Sequence, residues 1–181
     1  MVRTCKINTV FMLVFFFTFI LCGLSYSKER PQCISLPDLE KYLAMNVKHG
    51  VKSHSKKLAV DILRVAYKQK ISPKLLASLV IIESSGDPKS KRKACIGLTQ
   101  VNHNVWGKYL KELGVISRRQ DLFHPRKSLE AGAIVYKKYL ESFNKYRNPQ
   151  KRALIAYSGG SFMYYNKIRK HINEISKSMK G

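Results

Sequence analysis

Residues 71–100 constrain this chain most: an apolar helix ends in a carboxylate and gives way at once to a polar, turn-rich segment. Ser72 stands where it can cap free backbone N–H groups, and Pro73 where a missing N–H costs nothing. Leu75, Leu76, Leu79, Val80 and Ile82 make the segment apolar on more than one side, which predicts a buried helix. Glu83 follows directly, ahead of Ser84-Ser85-Gly86. A charged group at the end of such a helix is costly unless it is paired, protonated or facing a cleft. Either Glu83 is a functional carboxylate, or it is the first solvated residue as the helix leaves the core.

The remaining pattern is helical. Roughly residues 36–48 form a short helix with Ser35 as cap and Pro37 near its start, stopped by His49-Gly50. Ser53 or Ser55 caps the next helix, in which Leu58, Ile62, Val65 and Ala66 recur at helical period. Beyond Glu83, residues 86–96 read as a polar loop with Asp87-Pro88 and a Lys/Arg cluster. Gly97-Leu98-Thr99-Gln100-Val101 is short and alternating. Helices are predicted over roughly 105–113, 127–143, 149–157 and 162–177, separated by breaks at 114–125 and at Ser158-Gly159-Gly160. Small residues Ala131, Gly132 and Ala133 would let another helix approach closely. The expected fold is a single all-α domain with at most a tiny hairpin near residues 94–101. Domain boundaries fall at 1–27, 28–70 for a leader with its helices, and 71–178 for the main domain.

Residues 1–27 read as an export signal, with Arg3 and Lys6 in the n-region and a Phe- and Leu-dense apolar run over 10–24. That run is short against the roughly 20 residues of a membrane span, although an uncleaved signal would serve as an N-terminal membrane anchor. The chain is therefore expected outside the cytoplasm, in the periplasm or cell envelope. Cleavage after Ser27 leaves Cys33 and Cys95, an even pair that suits one disulfide or two free thiols. The five His are scattered and no metal-ligand spacing occurs, so neither a metal nor a cofactor is expected. The formal charge is +23; removing the two charges of Arg3 and Lys6 leaves +21 on residues 28–181, which hold all 11 acids. Such a surface favours polyanions, including an acidic cell-wall polymer, unless it is merely a solvated lysine-rich exterior. The lysines are spread along the chain without an Arg-rich block, and no specific nucleic-acid partner is expected.

Four local features can line one cleft: Glu83-Ser84, Gly97-Leu98-Thr99-Gln100, Ala156-Tyr157 with its glycines, and Tyr164-Tyr165. Their order and spacing resemble the lytic transglycosylase (SLT) family, which shares the lysozyme-like fold with goose-type lysozymes. Glu83-Ser84 matches the family's helix-ending Glu-Ser, Gly97-Leu98-Thr99-Gln100 its Gly-Leu-Met-Gln, and Ala156-Tyr157-Ser158-Gly159 its Ala-Tyr-Asn and Gly. Asp121-Leu122-Phe123 with Pro125, then Leu129-Glu130-Ala131-Gly132-Ala133, looks like the connecting Asp-Leu-Phe-Asp-Pro and helix. The resemblance covers roughly residues 71–175. Thr99 stands where the family usually has Met, and Ser158 replaces its Asn.

The resemblance implies cleavage of the MurNAc–GlcNAc β-1,4 link in peptidoglycan glycan strands, with Glu83 as acid and then base. Glycosidases normally pair two carboxylates. The other acid close to Glu83 in sequence is Asp87, ahead of Pro88, which is more naturally a turn residue. By the family match Ser84 bonds the reacting acetamido region, Tyr157 orients Glu83, and Gln100, Thr99 and Tyr164 bind the glycan. The protein is expected to act as a monomer, opening the wall locally for a secretion or conjugation assembly. The rival readings are a hydrolytic muramidase on the same fold and a non-catalytic wall- or polyanion-binding module.

Overall fold

A computed structural model describes residues 34–179. The export-signal reading of residues 1–27 and the Cys33 half of the cysteine pair fall outside these residues. Among them are seven α-helices: α1 (Leu36–Asn46), α2 (Ser55–Gln69), α3 (Pro73–Ser84), α4 (His103–Glu112), α5 (Pro125–Ser142), α6 (Pro149–Tyr157) and α7 (Phe162–Ser178). Short 3-10 helices span His49–His54 and Arg119–Phe123. Three two-residue strands, β1 (Lys91–Arg92), β2 (Cys95–Ile96) and β3 (Val101–Asn102), form one antiparallel sheet in the order β1-β2-β3. The all-α expectation holds, with a sheet slightly larger than a hairpin and beginning three residues earlier.

Local chemistry explains most helix starts. Ser35 Oγ accepts from the Asp38 N–H at 3.2 Å, and proline occupies the first turn of α1, α3, α5 and α6. Two expected caps differ. Ser72 has the extended backbone of an N-cap, yet its side chain makes no capping bond, and the helix begins on Pro73, which has no N–H to cap. Ser55 lies inside α2, its hydroxyl donating to Lys52 O at 2.8 Å, so His54 takes the cap position.

α3 runs through the middle of the core. Leu76, Ala77, Leu79 and Val80 are fully buried, each leucine contributing about 1.5–3 kcal/mol of burial free energy. It packs against α2 and α7, while α2 also meets α1 and α5, and α5 meets α6. Leu39 and Leu43 of α1 and Ile62 of α2 share one apolar cluster with Ile168 and Ile175 of α7. The helices before residue 71 thus belong to the same core as those after it. A smaller cluster of Ile96, Val101, Leu110, Ile116, Leu122, Ala131 and Val135 seats the sheet and α4 on α5. Among the described residues no helix is long and apolar enough to cross a membrane.

Candidate active site

α3 ends abruptly. Ser85 (φ 52°) and Gly86 (φ 80°) turn the chain through two successive left-handed residues, and the Lys48 N–H donates to Ser85 O at 2.9 Å, fixing the turn to the segment leaving α1. A Cβ at Gly86 would lie 2.6 Å from Val47 Cγ1, so only glycine fits that approach. Glu83 therefore stops where the core stops, its side chain 14% exposed.

Two groups hold that carboxylate. Tyr164, near the start of α7, donates its hydroxyl to Glu83 Oε1 at 2.5 Å. Arg92 of β1 places Nη2 3.6 Å from Oε2 and also donates to the backbone carbonyl of Glu83. Burial pushes the Glu83 carboxyl above the ordinary carboxylate range; the Tyr164 hydrogen bond and the Arg92 charge pull the other way without reversing it. Burial and the neighbouring Glu83 charge keep the Tyr164 phenol protonated, so it remains a donor. Glu83 is thus a partly dehydrated carboxyl, not a solvated helix end.

Tyr157 takes a different part from the one the family match implies. Its hydroxyl donates to Thr99 O at 2.8 Å, and its ring stacks on that of Tyr164 with centroids 6.5 Å apart and planes 20° from parallel. The hydroxyl that reaches Glu83 is that of Tyr164, seven residues on. Ser158 helps arrange this: its hydroxyl donates to Ile155 O at 2.8 Å and accepts from the Ser161 N–H at 3.0 Å. Those bonds close the turn through Gly159 and Gly160, both at positive φ, and bring α7 back beside α6.

The segment between β2 and β3 is a buried brace. Ser84 Oγ lies 2.8 Å from Leu98 O and 3.0 Å from Val80 O, so its one proton is shared between two carbonyls. Thr99 is fully buried, its Oγ1 donating to Ser128 O at 2.7 Å. Gly132 makes room for it: a Cβ there would lie 2.5 Å from Thr99 Cβ. The close neighbour at Gly132 is therefore this loop and not another helix. Gln100 turns inward, Nε2 donating to Gly97 O at 2.9 Å and Ser90 O at 3.0 Å. Gly97, at φ 79°, lies so near Leu122 that a Cβ would be 2.0 Å from its carbonyl oxygen. Asp121 anchors that neighbouring turn, accepting from the Ser117 N–H at 2.7 Å with Lys127 Nζ 2.9 Å away, and its carboxyl is held down at about 2.

Of the residues singled out from sequence, Glu83 and Tyr164 meet directly, and Tyr157 stacks behind them. Ser84, Thr99 and Gln100 bond to the backbone that shapes the site. Arg92 lies with Lys91 and Lys93 in the segment that the sequence presents as a polar loop; the turn at Lys93 (φ 54°) folds the chain between β1 and β2, and Arg92 reaches Glu83 from β1. Asp87 serves the turn, accepting from the Lys89 N–H at 2.8 Å and pairing with Lys48 at 3.4 Å. Cys95 is a partly buried thiol whose pKa is raised by burial and then by the Glu83 charge. A separate cavity of about 570 Å³ borders Lys48, Lys57, Asp61, Gly86, Asp87 and Leu98, and Glu83 does not line it.

Residues 62–179 match the family model described as the transglycosylase SLT domain. The chain is similar to the membrane-bound lytic murein transglycosylase E of Buchnera aphidicola subsp. Acyrthosiphon pisum (strain APS), 30% identical over 155 residues that cover 79% of this chain and 69% of that protein. No solved structure matches the chain significantly. The family match takes in the end of α2 and everything from α3 through α7, including Tyr164 and Arg92, which meet the Glu83 carboxylate. The chain belongs to the transglycosylase SLT domain family, the lytic transglycosylases of peptidoglycan.

Proposed function

We propose that this protein cleaves the MurNAc–GlcNAc β-1,4 bond with Glu83 as its single catalytic carboxyl and releases a 1,6-anhydro-MurNAc end. In the first step Glu83 gives its proton to the departing GlcNAc O4 as the C1–O4 bond breaks. The carbonyl oxygen of the MurNAc N-acetyl group bonds to C1 from the opposite face, in the place of a second enzyme carboxylate. In the second step the Glu83 carboxylate takes the proton of the sugar's 6-hydroxyl. O6 then bonds to C1 and expels the acetamido oxygen, leaving Glu83 protonated again.

The observation that carries this reading is the dehydrated Glu83 carboxyl, with burial raising its pKa and Tyr164 donating to one oxygen. A general acid must hold its proton at working pH and give it up on demand, and burial is the usual way to tune a carboxyl for that. Tyr164 is a positioning residue that fixes which carboxyl oxygen faces the bond. Ser84, Thr99, Gln100 and Tyr157 support the site through the backbone. Residues 1–27 are read as the export signal that delivers the enzyme to the envelope, where its substrate lies; the similar Buchnera protein is described as membrane-bound.

Purified peptidoglycan digested with the full-length protein should yield fragments ending in 1,6-anhydro-MurNAc by mass spectrometry, and none with Glu83→Gln. Ordinary reducing ends would instead make the protein a hydrolase, with water in place of the 6-hydroxyl. No fragments from the wild-type protein would overturn the enzymatic reading.

A further inference from the structure

The small sheet gives the three adjacent cations at 91–93 different surroundings. Lys91 is opposed to Ile96, and Ile96 to Val101; the latter two belong to the buried cluster behind the sheet. Arg92 is opposed to Cys95, and Cys95 to Asn102, so these side chains share the other face. Lys93 sits in the turn, at positive φ. Of these three cations Arg92 is the one that pairs with Glu83.

Arg92 is anchored at its root and open at its tip. Nε donates to Gln100 Oε1 at 3.4 Å, and Gln100 is itself buried and tied to Gly97 O and Ser90 O. Nη2 donates to the backbone carbonyl of Glu83. Its approach to Glu83 Oε2, at 3.6 Å, is a charge contact longer than a hydrogen bond. Nη1 has no acceptor among the described residues, and the side chain is largely exposed. A guanidinium carries five N–H groups in a rigid fork that fits a carboxylate through two parallel bonds. Most of that fork is uncommitted here. A fixed cation beside a general acid is otherwise a poor choice, because it favours the ionised form that has no proton to give. Such a local conflict is expected where a residue has a second task.

The wall polymer brings a matching anion to this place. Glu83 must touch the oxygen that leaves MurNAc C1, and the same MurNAc ring bears the stem peptide on its lactyl ether. That peptide extends about 3.5 Å per residue, so its carboxylates pass within reach of a guanidinium beside the acid. Glu83 is neutral when it acts as the acid and does not repel them. We propose that Arg92 is a specificity-determining residue: its outward N–H groups bind a stem-peptide carboxylate next to the scissile bond and favour peptide-bearing MurNAc over bare sugar. The identity of this ligand rests on the transglycosylase reading.

Calorimetry on the full-length Glu83→Gln protein tests this without catalysis. The ligand is the GlcNAc–MurNAc dimer bearing a stem tetrapeptide, once with free carboxylates and once with all of them amidated. The free form should bind roughly tenfold more tightly, through one charge-assisted pair. Adding Arg92→Gln should abolish that difference, while binding of an uncharged GlcNAc tetramer changes little. Arg92→Lys, which keeps the charge and loses the fork, should restore part of it. The basic surface as a whole does not predict this pattern, since removing one cation among 34 leaves the general field nearly intact. Equal affinities for the two dimers, or a preference that survives Arg92→Gln, would overturn the assignment. So would a failure of both dimers to bind at millimolar concentration. Wild-type digestion of peptidoglycan, run alongside, separates the two readings. Active enzyme with no response to amidation defeats the role of Arg92 alone; inactive enzyme with an Arg92-dependent response defeats the transglycosylase reading alone.

Discussion

At Glu83 three effects act on one proton, and their signs make them separable. Burial favours the neutral acid, whereas the Tyr164 hydrogen bond and then the Arg92 charge favour the anion. A general acid works in its protonated form, so cleavage should decline as pH rises through the raised Glu83 pKa. Removing either stabiliser of the anion pushes that pKa further up. Arg92→Ala and Tyr164→Phe should therefore both move the alkaline limb of the pH–rate profile to higher pH. The Arg92 shift should be the smaller, because that side chain is 64% exposed and its charge is screened by solvent. Only Tyr164→Phe also frees the carboxyl to rotate, and its plateau kcat should fall roughly 100-fold. Profiles of kcat against pH for the three proteins check both points. A limb that moved down in either variant would mean the lost group had favoured the neutral acid.

At the level of elements, the β2–β3 connection packs inward where the family analogy turns it to the glycan, and Thr99 tests which part it plays. By family analogy that position faces the saccharide, so Thr99→Met would restore the usual residue and improve glycan grip. In this fold Thr99 is enclosed between Ser128 and the backbone of Gly132, and a longer side chain has nowhere to go. Thr99→Met should destabilise the protein by about 1–3 kcal/mol through overpacking, read from the midpoint of urea unfolding. Unchanged stability with altered glycan affinity would mean that the side chain reaches the cleft after all. The helices were legible because apolar period, proline at the first turn and glycine breaks all agree, and Glu83 stood out as a charge at the end of an apolar run. The sheet was not, because two-residue strands carry no alternation to read. Nor was the division of labour between Tyr157 and Tyr164, or the reach of Arg92. Each depends on a turn, at Ser158-Gly159-Gly160 or at Lys93, that brings together side chains from separate elements.

Over the whole molecule the dominant quantity is charge. Residues 28–181 carry +21, an excess that no local ion pair accounts for, since acids are outnumbered about three to one. Such a field draws an anionic polymer toward the surface and raises its local concentration, while contributing little to an uncharged ring seated at Glu83. The two contributions separate with salt, because the screening length falls from about 10 Å at 0.1 M to about 3 Å at 1 M. On intact peptidoglycan, whose stem peptides carry carboxylates, KM should rise several-fold across that range while kcat holds nearly constant. Binding of the uncharged GlcNAc tetramer to the Glu83→Gln protein should barely change. If both respond equally, salt is acting on the site itself, through the exposed Arg92 paired with Glu83. If neither responds, the lysines form a solvated exterior with no part in recognising the wall. The split response would assign attraction to the surface as a whole and selectivity to the few side chains around Glu83.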